Sequence, residues 1–143
     1  DPRNAFIMTS LLKEVINTGT ARKAKRLKRE DIAGKTGTTN ELVDAWFAGF
    51  NPDVVTITWM GYDQPRSLGK HESGSRAALP IWIDYMKPII SDYPNRIVET
   101  PEGIIPLRIN PKNGMLTKKD EDGIYEYFYD EFPPSNNAYF LLN

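Results

Sequence analysis

The sequence predicts an α/β protein of the α+β type, a central antiparallel β-sheet flanked by helices. Three observations lead there. Apolar residues recur at helical spacing near both ends of the first ninety residues, and the stretches between are short, β-branched and aromatic. A clear turn at Asn51-Pro52-Asp53 joins two of those stretches as an antiparallel hairpin. The resulting order is helix, three strands, helix.

Asp1-Pro2 starts the first helix, with Asp as the capping residue and Pro at the first helical position. Ala5, Met8, Leu11, Leu12, Val15 and Ile16 form its apolar stripe. Asn17-Thr18-Gly19 ends it, and Gly19 is expected in a left-handed C-terminal cap. A basic connector, Arg22-Lys23-Ala24-Lys25-Arg26-Leu27-Lys28-Arg29, leads to Asp31-Ile32-Ala33-Gly34-Lys35-Thr36-Gly37-Thr38-Thr39. Asp44–Phe50 and Val54–Tyr62 read as the hairpin strands, Gln64–Gly74 as polar loop, and Arg76–Ile90 as a second amphipathic helix that Pro80 and Pro88 limit. Beyond Tyr93, prolines at 94, 101, 106, 111, 133 and 134 break the chain into short pieces. Ile104-Ile105, Leu107-Arg108-Ile109 and Tyr125–Phe128 are candidates for brief strands there. The expected division is a domain segment over 1–93 and an irregular C-terminal extension over 94–143, ending in a polar tail with Asn136-Asn137.

Composition narrows the chemistry. The chain has 143 residues, of which 40% are apolar and 26% charged, a balance that supports a packed core and excludes wholesale disorder. It has no cysteine, so disulfides, thiolate nucleophiles and zinc–thiolate sites are excluded, and one histidine, His71, excludes a multi-histidine metal site. No apolar run approaches the roughly 20 residues of a membrane-spanning helix. The net charge of −1 is uneven: residues 1–35 carry +5, while 36–95 and 96–143 carry −3 each. The basic run 22–29 lacks interleaved aromatics for base stacking, so it reads as a solvated connector rather than a nucleic-acid surface.

Gly34-Lys35-Thr36 looks like the end of a phosphate-binding loop, but the glycine that pattern needs five residues earlier is Arg29, and a strand rather than a helix follows. Lys35-Thr36-Gly37 fits instead the third signature element of penicillin-recognising serine acyl transferases. Its surroundings are more specific than the triplet. Ala33–Thr39, then Asp44-Ala45-Trp46-Phe47-Ala48-Gly49-Phe50, then Trp59-Met60-Gly61-Tyr62-Asp63, with Gly19-Thr20 and Ala77-Ala78-Leu79-Pro80-Ile81-Trp82, resemble the C-terminal part of the transpeptidase domain of a class A (bifunctional) penicillin-binding protein. The resemblance covers about residues 3–90 and is loose beyond Tyr93.

The resemblance implies the transpeptidase fold shared with serine β-lactamases, of which this would be the C-terminal portion. It implies that Lys35 attracts the C-terminal carboxylate of a peptide and joins the proton relay around the nucleophile. Thr36 and Thr38, alternating onto one side of a strand, would face that carboxylate. Gly37 would permit close approach, and the Thr38 N–H would be one of two oxyanion donors. The intact protein would cross-link peptidoglycan stem peptides at D-Ala-D-Ala through a serine acyl-enzyme, and β-lactams would acylate the same serine. It would also be a peptidoglycan glycosyltransferase, anchored through an upstream region in the bacterial inner membrane with its catalytic domain outside the cytoplasm. Neither metal nor organic cofactor is expected at the transpeptidase site.

Two family elements, Ser-x-x-Lys with the nucleophile and Ser-x-Asn, have only decoys. Ser10-Leu11-Leu12-Lys13 lies 25 positions before Lys35 with no Ser-x-Asn between, and in a helix that already matches another family segment. Ser67-Leu68-Gly69-Lys70 and Ser135-Asn136-Asn137 come after Lys35, in the wrong order. The expectation is that this chain lacks its nucleophile, begins within a domain, and needs the remainder of that domain, as an upstream segment or separate chain, to complete the sheet. Trp46, Phe47 and Trp59 read as core, and His71 as a surface residue. Glu72-Ser73-Gly74-Ser75 resembles a family turn that commonly has two glycines, with Ser75 in place of one. The rival readings are a monofunctional penicillin-binding protein, a D,D-carboxypeptidase or a serine β-lactamase, and, in another class, an inactive binding or regulatory module.

Overall fold

The computed structural model describes residues 1–118 and 121–134. They form two compact units, Thr9–Val98, and Asp1–Met8 with the segment from Glu99 onward. The Ser-x-Asn decoy at 135–137 and the polar tail lie outside the described residues.

Helix α1 spans Pro2–Asn17 and begins as its sequence dictates, with the Asp1 carboxylate accepting from the Arg3 amide at 2.8 Å. Its C-terminal end differs from expectation, because Gly19 does not adopt a positive φ. The Gly19 amide bonds to the Glu14 carbonyl at 3.0 Å, and a Cβ on Gly19 would lie 2.9 Å from the Val15 Cα and carbonyl oxygen. Glycine is needed there for closeness, not for handedness.

The basic connector is more than a solvated strap. Arg22–Leu27 winds into a short 3₁₀ helix, because Ala21, Ala24 and Leu27 recur every three residues and turn one face inward. Ala21 and Ala24 are fully buried while Arg22, Lys23, Lys25 and Arg26 stay exposed.

Strands β1 (Ala33–Thr38), β2 (Ala45–Phe50) and β3 (Val55–Met60) form an antiparallel sheet in that order. The β2–β3 turn holds four residues rather than three, closed by the Asn51 side chain accepting from the Val54 amide at 2.8 Å. Alternation sends Phe47, Thr56 and Thr58 toward helix α2 (Leu79–Ile90), which a π-type turn at Gly74–Ala78 precedes. Trp82 of α2 stacks edge-on against Phe47 with ring centroids 5.0 Å apart and donates its indole N–H to the Thr56 carbonyl at 3.1 Å. Both rings are fully buried, with Leu79, Ile83 and Met86 around them. The opposite face of the sheet is bare within this unit: Val55 is 74% exposed, Ile57 62% and Trp59 46%.

One polar cluster fastens β1 to the end of α2. Asp31, 3% exposed, accepts two bonds from the Arg29 guanidinium (2.8 and 2.6 Å) and one from the Arg96 amide (3.1 Å). Arg29 also donates to the carbonyls of Ile90, Tyr93 and Pro94, satisfying groups the helix end leaves open. Burial pushes the Asp31 carboxyl up, but the Arg29 bonds and the Arg96 amide outweigh it and hold Asp31 below the ordinary carboxylate value.

In the other unit, β4 (Ile104–Ile109) and β5 (Ile124–Tyr129) pair antiparallel, so the segment read as an irregular extension contains a regular ladder. The strand candidates at 104–109 and 125–128 fall within it. Phe6 meets Tyr127 edge-on at 4.9 Å, and Arg3 lies over the Tyr129 ring and bonds Glu131 at 2.6 Å, holding that carboxyl down at about 2.

Candidate active site

Strand β1 is an edge of its sheet, so alternate backbone groups of Lys35–Thr38 face away from β2. By register Lys35 stands beside Ala48 and Ile57, and Gly37 beside Trp46 and Trp59, on the bare face. Thr36 and Thr38 share the other face, toward α2. Lys35 is exposed, and its ammonium donates to the Thr36 carbonyl at 2.9 Å.

Both threonine hydroxyls are held from outside the sheet. The Thr36 and Thr20 hydroxyls bond to one another at 2.7 Å, and Thr38 Oγ1 accepts from the Gly74 amide at 3.0 Å. Gly74 reaches that position because it lacks a side chain: a Cβ would sit 2.4 Å from the Trp46 carbonyl oxygen and 2.5 Å from that of Gly37. Real Cβ contacts essentially never fall below 3.0 Å. Ser75, by contrast, carries a side chain, half-buried, whose hydroxyl bonds that of Ser73 at 3.0 Å. The sequence showed Gly19-Thr20 and Glu72–Ser75 only as matching letters. Their contact with the two threonines is a long-range fact that spacing does not carry.

At the far end of β1, Asp44 ties the strands together. Its carboxylate accepts from the Trp59 indole at 2.8 Å, and its amide donates to the Thr39 hydroxyl at 2.7 Å. Trp46 and Trp59 pair at 6.0 Å on the Lys35 face, 42% and 46% exposed, whereas Phe47 is core. The expectation of core therefore holds for Phe47, and the two tryptophans lie half-open in this unit because nothing within Thr9–Val98 covers that face. His71 is exposed in its loop, as expected.

Alongside Thr20 and Ser75 opens a cleft of about 540 Å³, lined by Gly19, Thr20, Arg22, Lys23, Ser75 and Arg76. Ser10 lies on α1, and Ser67 lies in the loop before Gly69, whose amide it accepts at 3.3 Å. Among the described residues no group of three or more His, Cys, Asp or Glu side chains gathers as metal ligands. No helix among them is long and apolar enough to cross a membrane.

An antiparallel sheet backed by helices, with Lys-Thr-Gly-Thr along its edge strand, defines a class: the penicillin-binding proteins and serine β-lactamases, whose transpeptidase fold this is. Known proteins agree. The chain is 50% identical over 139 residues to penicillin-binding protein 1A of Pseudomonas aeruginosa, covering 96% of the chain and 17% of that protein. It is 51% identical over 118 residues to the Aquifex aeolicus protein of the same name, covering 82% and 16%. The crystal structure of penicillin-binding protein 1A from Haemophilus influenzae superposes with a TM-score of 0.85 at 38% identity, covering 93% of this chain and 21% of that one. No protein-family profile matches the chain. The chain thus belongs to the class A penicillin-binding proteins and corresponds to a C-terminal portion of them. It spans about a sixth of the length of these two curated relatives.

Proposed function

We propose that this chain supplies the Lys-Thr-Gly strand of a serine acyl-transfer site, in a bifunctional peptidoglycan synthase that cross-links stem peptides. The observation that carries this reading is the edge position of β1, with the Thr36 and Thr38 hydroxyls on one side and the Lys35 ammonium at the rim. In the reaction, a serine outside this chain attacks the D-Ala-D-Ala carbonyl, D-alanine leaves, and an amine of a second stem peptide resolves the acyl-enzyme. The Lys35 charge, with the Thr36 and Thr38 hydroxyls, holds the terminal carboxylate. Lys35 also steadies the proton relay, and the Thr38 amide donates to the developing oxyanion. β-Lactams present the same carboxylate and a strained amide, and acylate the same serine. The site needs no metal or organic cofactor. The intact protein works at the outer side of the bacterial inner membrane, held there by residues outside this chain.

The bare sheet face and the free edge of β3 support the further reading that the rest of the transpeptidase domain packs onto this piece. The test is covalent labelling with a fluorescent penicillin. The 143-residue chain alone is expected to stay unlabelled, and a protein containing the family's upstream Ser-x-x-Lys and Ser-x-Asn segments is expected to label at one serine there. Stoichiometric labelling of the chain alone at any of its own serines overturns the assignment.

A further inference from the structure

The cleft beside Thr20 and Ser75 is not explained by the strand chemistry. Three cations line it, Arg22 and Lys23 from the 3₁₀ turn and Arg76 from the turn before α2, and all three are exposed. Among the described residues none of them has a carboxylate within salt-bridge distance, although Arg26 and Arg29 of the same basic run pair with Asp84 and Asp31. Three like charges left unpaired around one concavity raise the local concentration of anions. The volume lies in the range of clefts that take small ligands, about 300–1,000 Å³.

The position of the cleft says what kind of anion. It begins where the strand chemistry ends, since Thr20 bonds the Thr36 hydroxyl and Ser75 follows Gly74, whose amide bonds Thr38. Strand β1 leaves its outer edge free, and an extended peptide pairs with such an edge through its backbone. A peptide laid along β1 therefore passes the cleft, and an acidic side chain on it reaches guanidinium groups suited to binding carboxylates.

We propose that this cleft is a second anion subsite, which takes a side-chain carboxylate of an acidic peptide held along β1, with Arg22 and Arg76 as its principal ligands and Lys23 as an accessory charge. The inference rests on the reading of β1 as a peptide-carboxylate strand, and two probes separate them. Acetyl-Ala-Glu-Glu-amide has no free terminus and addresses the cleft. Acetyl-D-Ala-D-Ala with a free C-terminus addresses the strand.

Binding is followed on the full chain by amide NMR shifts. The acidic probe is expected to shift the amides of Thr20, Arg22, Lys23 and Arg76, and to weaken steeply between about 50 mM and about 500 mM salt. The double variant Arg22→Gln with Arg76→Gln is expected to weaken it about tenfold or more while leaving the D-Ala-D-Ala peptide unchanged. Both side chains are exposed, and an unperturbed amide spectrum away from the cleft shows that the variant folds. Lys23→Gln is expected to weaken the acidic probe less than the double variant does. Equal affinity of the acidic probe for the wild-type chain and the double variant overturns the subsite, as do shifts centred on Lys25 and Lys28. If only the D-Ala-D-Ala peptide binds, the subsite is wrong and the strand reading stands. If only the acidic probe binds, the cleft takes a carboxylate, but the strand reading falls and with it the placing of the peptide along β1. Binding of neither removes both.

Discussion

Replacing Gly74 by alanine tests how tightly the strand and the turn before α2 are locked. The added methyl would start 2.4 Å and 2.5 Å from two carbonyl oxygens, those of Trp46 and Gly37, on adjacent strands. Neither is the end of a flexible side chain, so at least half an ångström of backbone displacement is required to restore a contact of 3.0 Å. Overpacking of this kind costs about 1–3 kcal/mol. The displacement also breaks the bond from the Gly74 amide to Thr38, which contributes about 1 kcal/mol. The expected loss is therefore about 2–4 kcal/mol, a large part of the roughly 5–15 kcal/mol of an ordinary domain. Urea unfolding followed by tryptophan fluorescence reads it as a midpoint lowered by about 1–2 M at unchanged slope. Ser75→Ala is the control: it adds no atom and removes the bond to Ser73. If Gly74→Ala and Ser75→Ala differ by less than about 0.5 kcal/mol, Gly74 is not packed this closely against the two strands.

Asp31→Asn is expected to destabilise the chain by about 2–4 kcal/mol near neutral pH, since it leaves the Arg29 guanidinium, 11% exposed, without its counter-charge. Because the Asp31 carboxyl lies below its ordinary value, its contribution is complete above the usual carboxylate range and is lost as pH falls through the lower folded-state value. Wild type and variant should therefore converge in unfolding experiments at strongly acidic pH, and a constant difference would contradict the pairing. Phe47→Ala is expected to cost about 3–5 kcal/mol by opening a cavity against Trp82. A loss under about 1 kcal/mol in thermal or urea unfolding would place Phe47 outside the core.

Much of this was legible from the chain. The stripe Ala5 to Ile16, the Asn51-Pro52-Asp53 turn and the β-branched and aromatic content of Val54–Tyr62 are local signals, and local physics made the elements where they stood. The signals failed where a residue answers to something distant. Gly19 looks like a left-handed cap, but its neighbour Val15 decides its role. The run 22–29 looks solvated by charge count, yet Ala21 and Ala24 are buried beneath it. In β4, Pro106 argues against a strand in isolation, but a two-stranded ladder has only edges, where proline is tolerated. The Lys-Thr-Gly-Thr strand was readable because its residue types carry chemistry. Its supports, Thr20 and Gly74, were not, because each acts across the fold on a single hydroxyl.

Lys35 is placed on the working edge of an acyl-transfer site. The most direct test of that placement is the rate of penicillin acylation by a protein containing this chain together with the upstream segments of its relatives, compared with the Lys35→Ala variant. Lys35 stands on the sheet face that the rest of the domain is proposed to cover, so the unfolding midpoint is measured alongside to show that the variant folds. The acylation rate constant should fall by about a hundredfold or more, the scale of a lost acid–base or charge-positioning group. Acylation at the wild-type rate in a folded Lys35→Ala protein would show that Lys35 takes no part in acyl transfer.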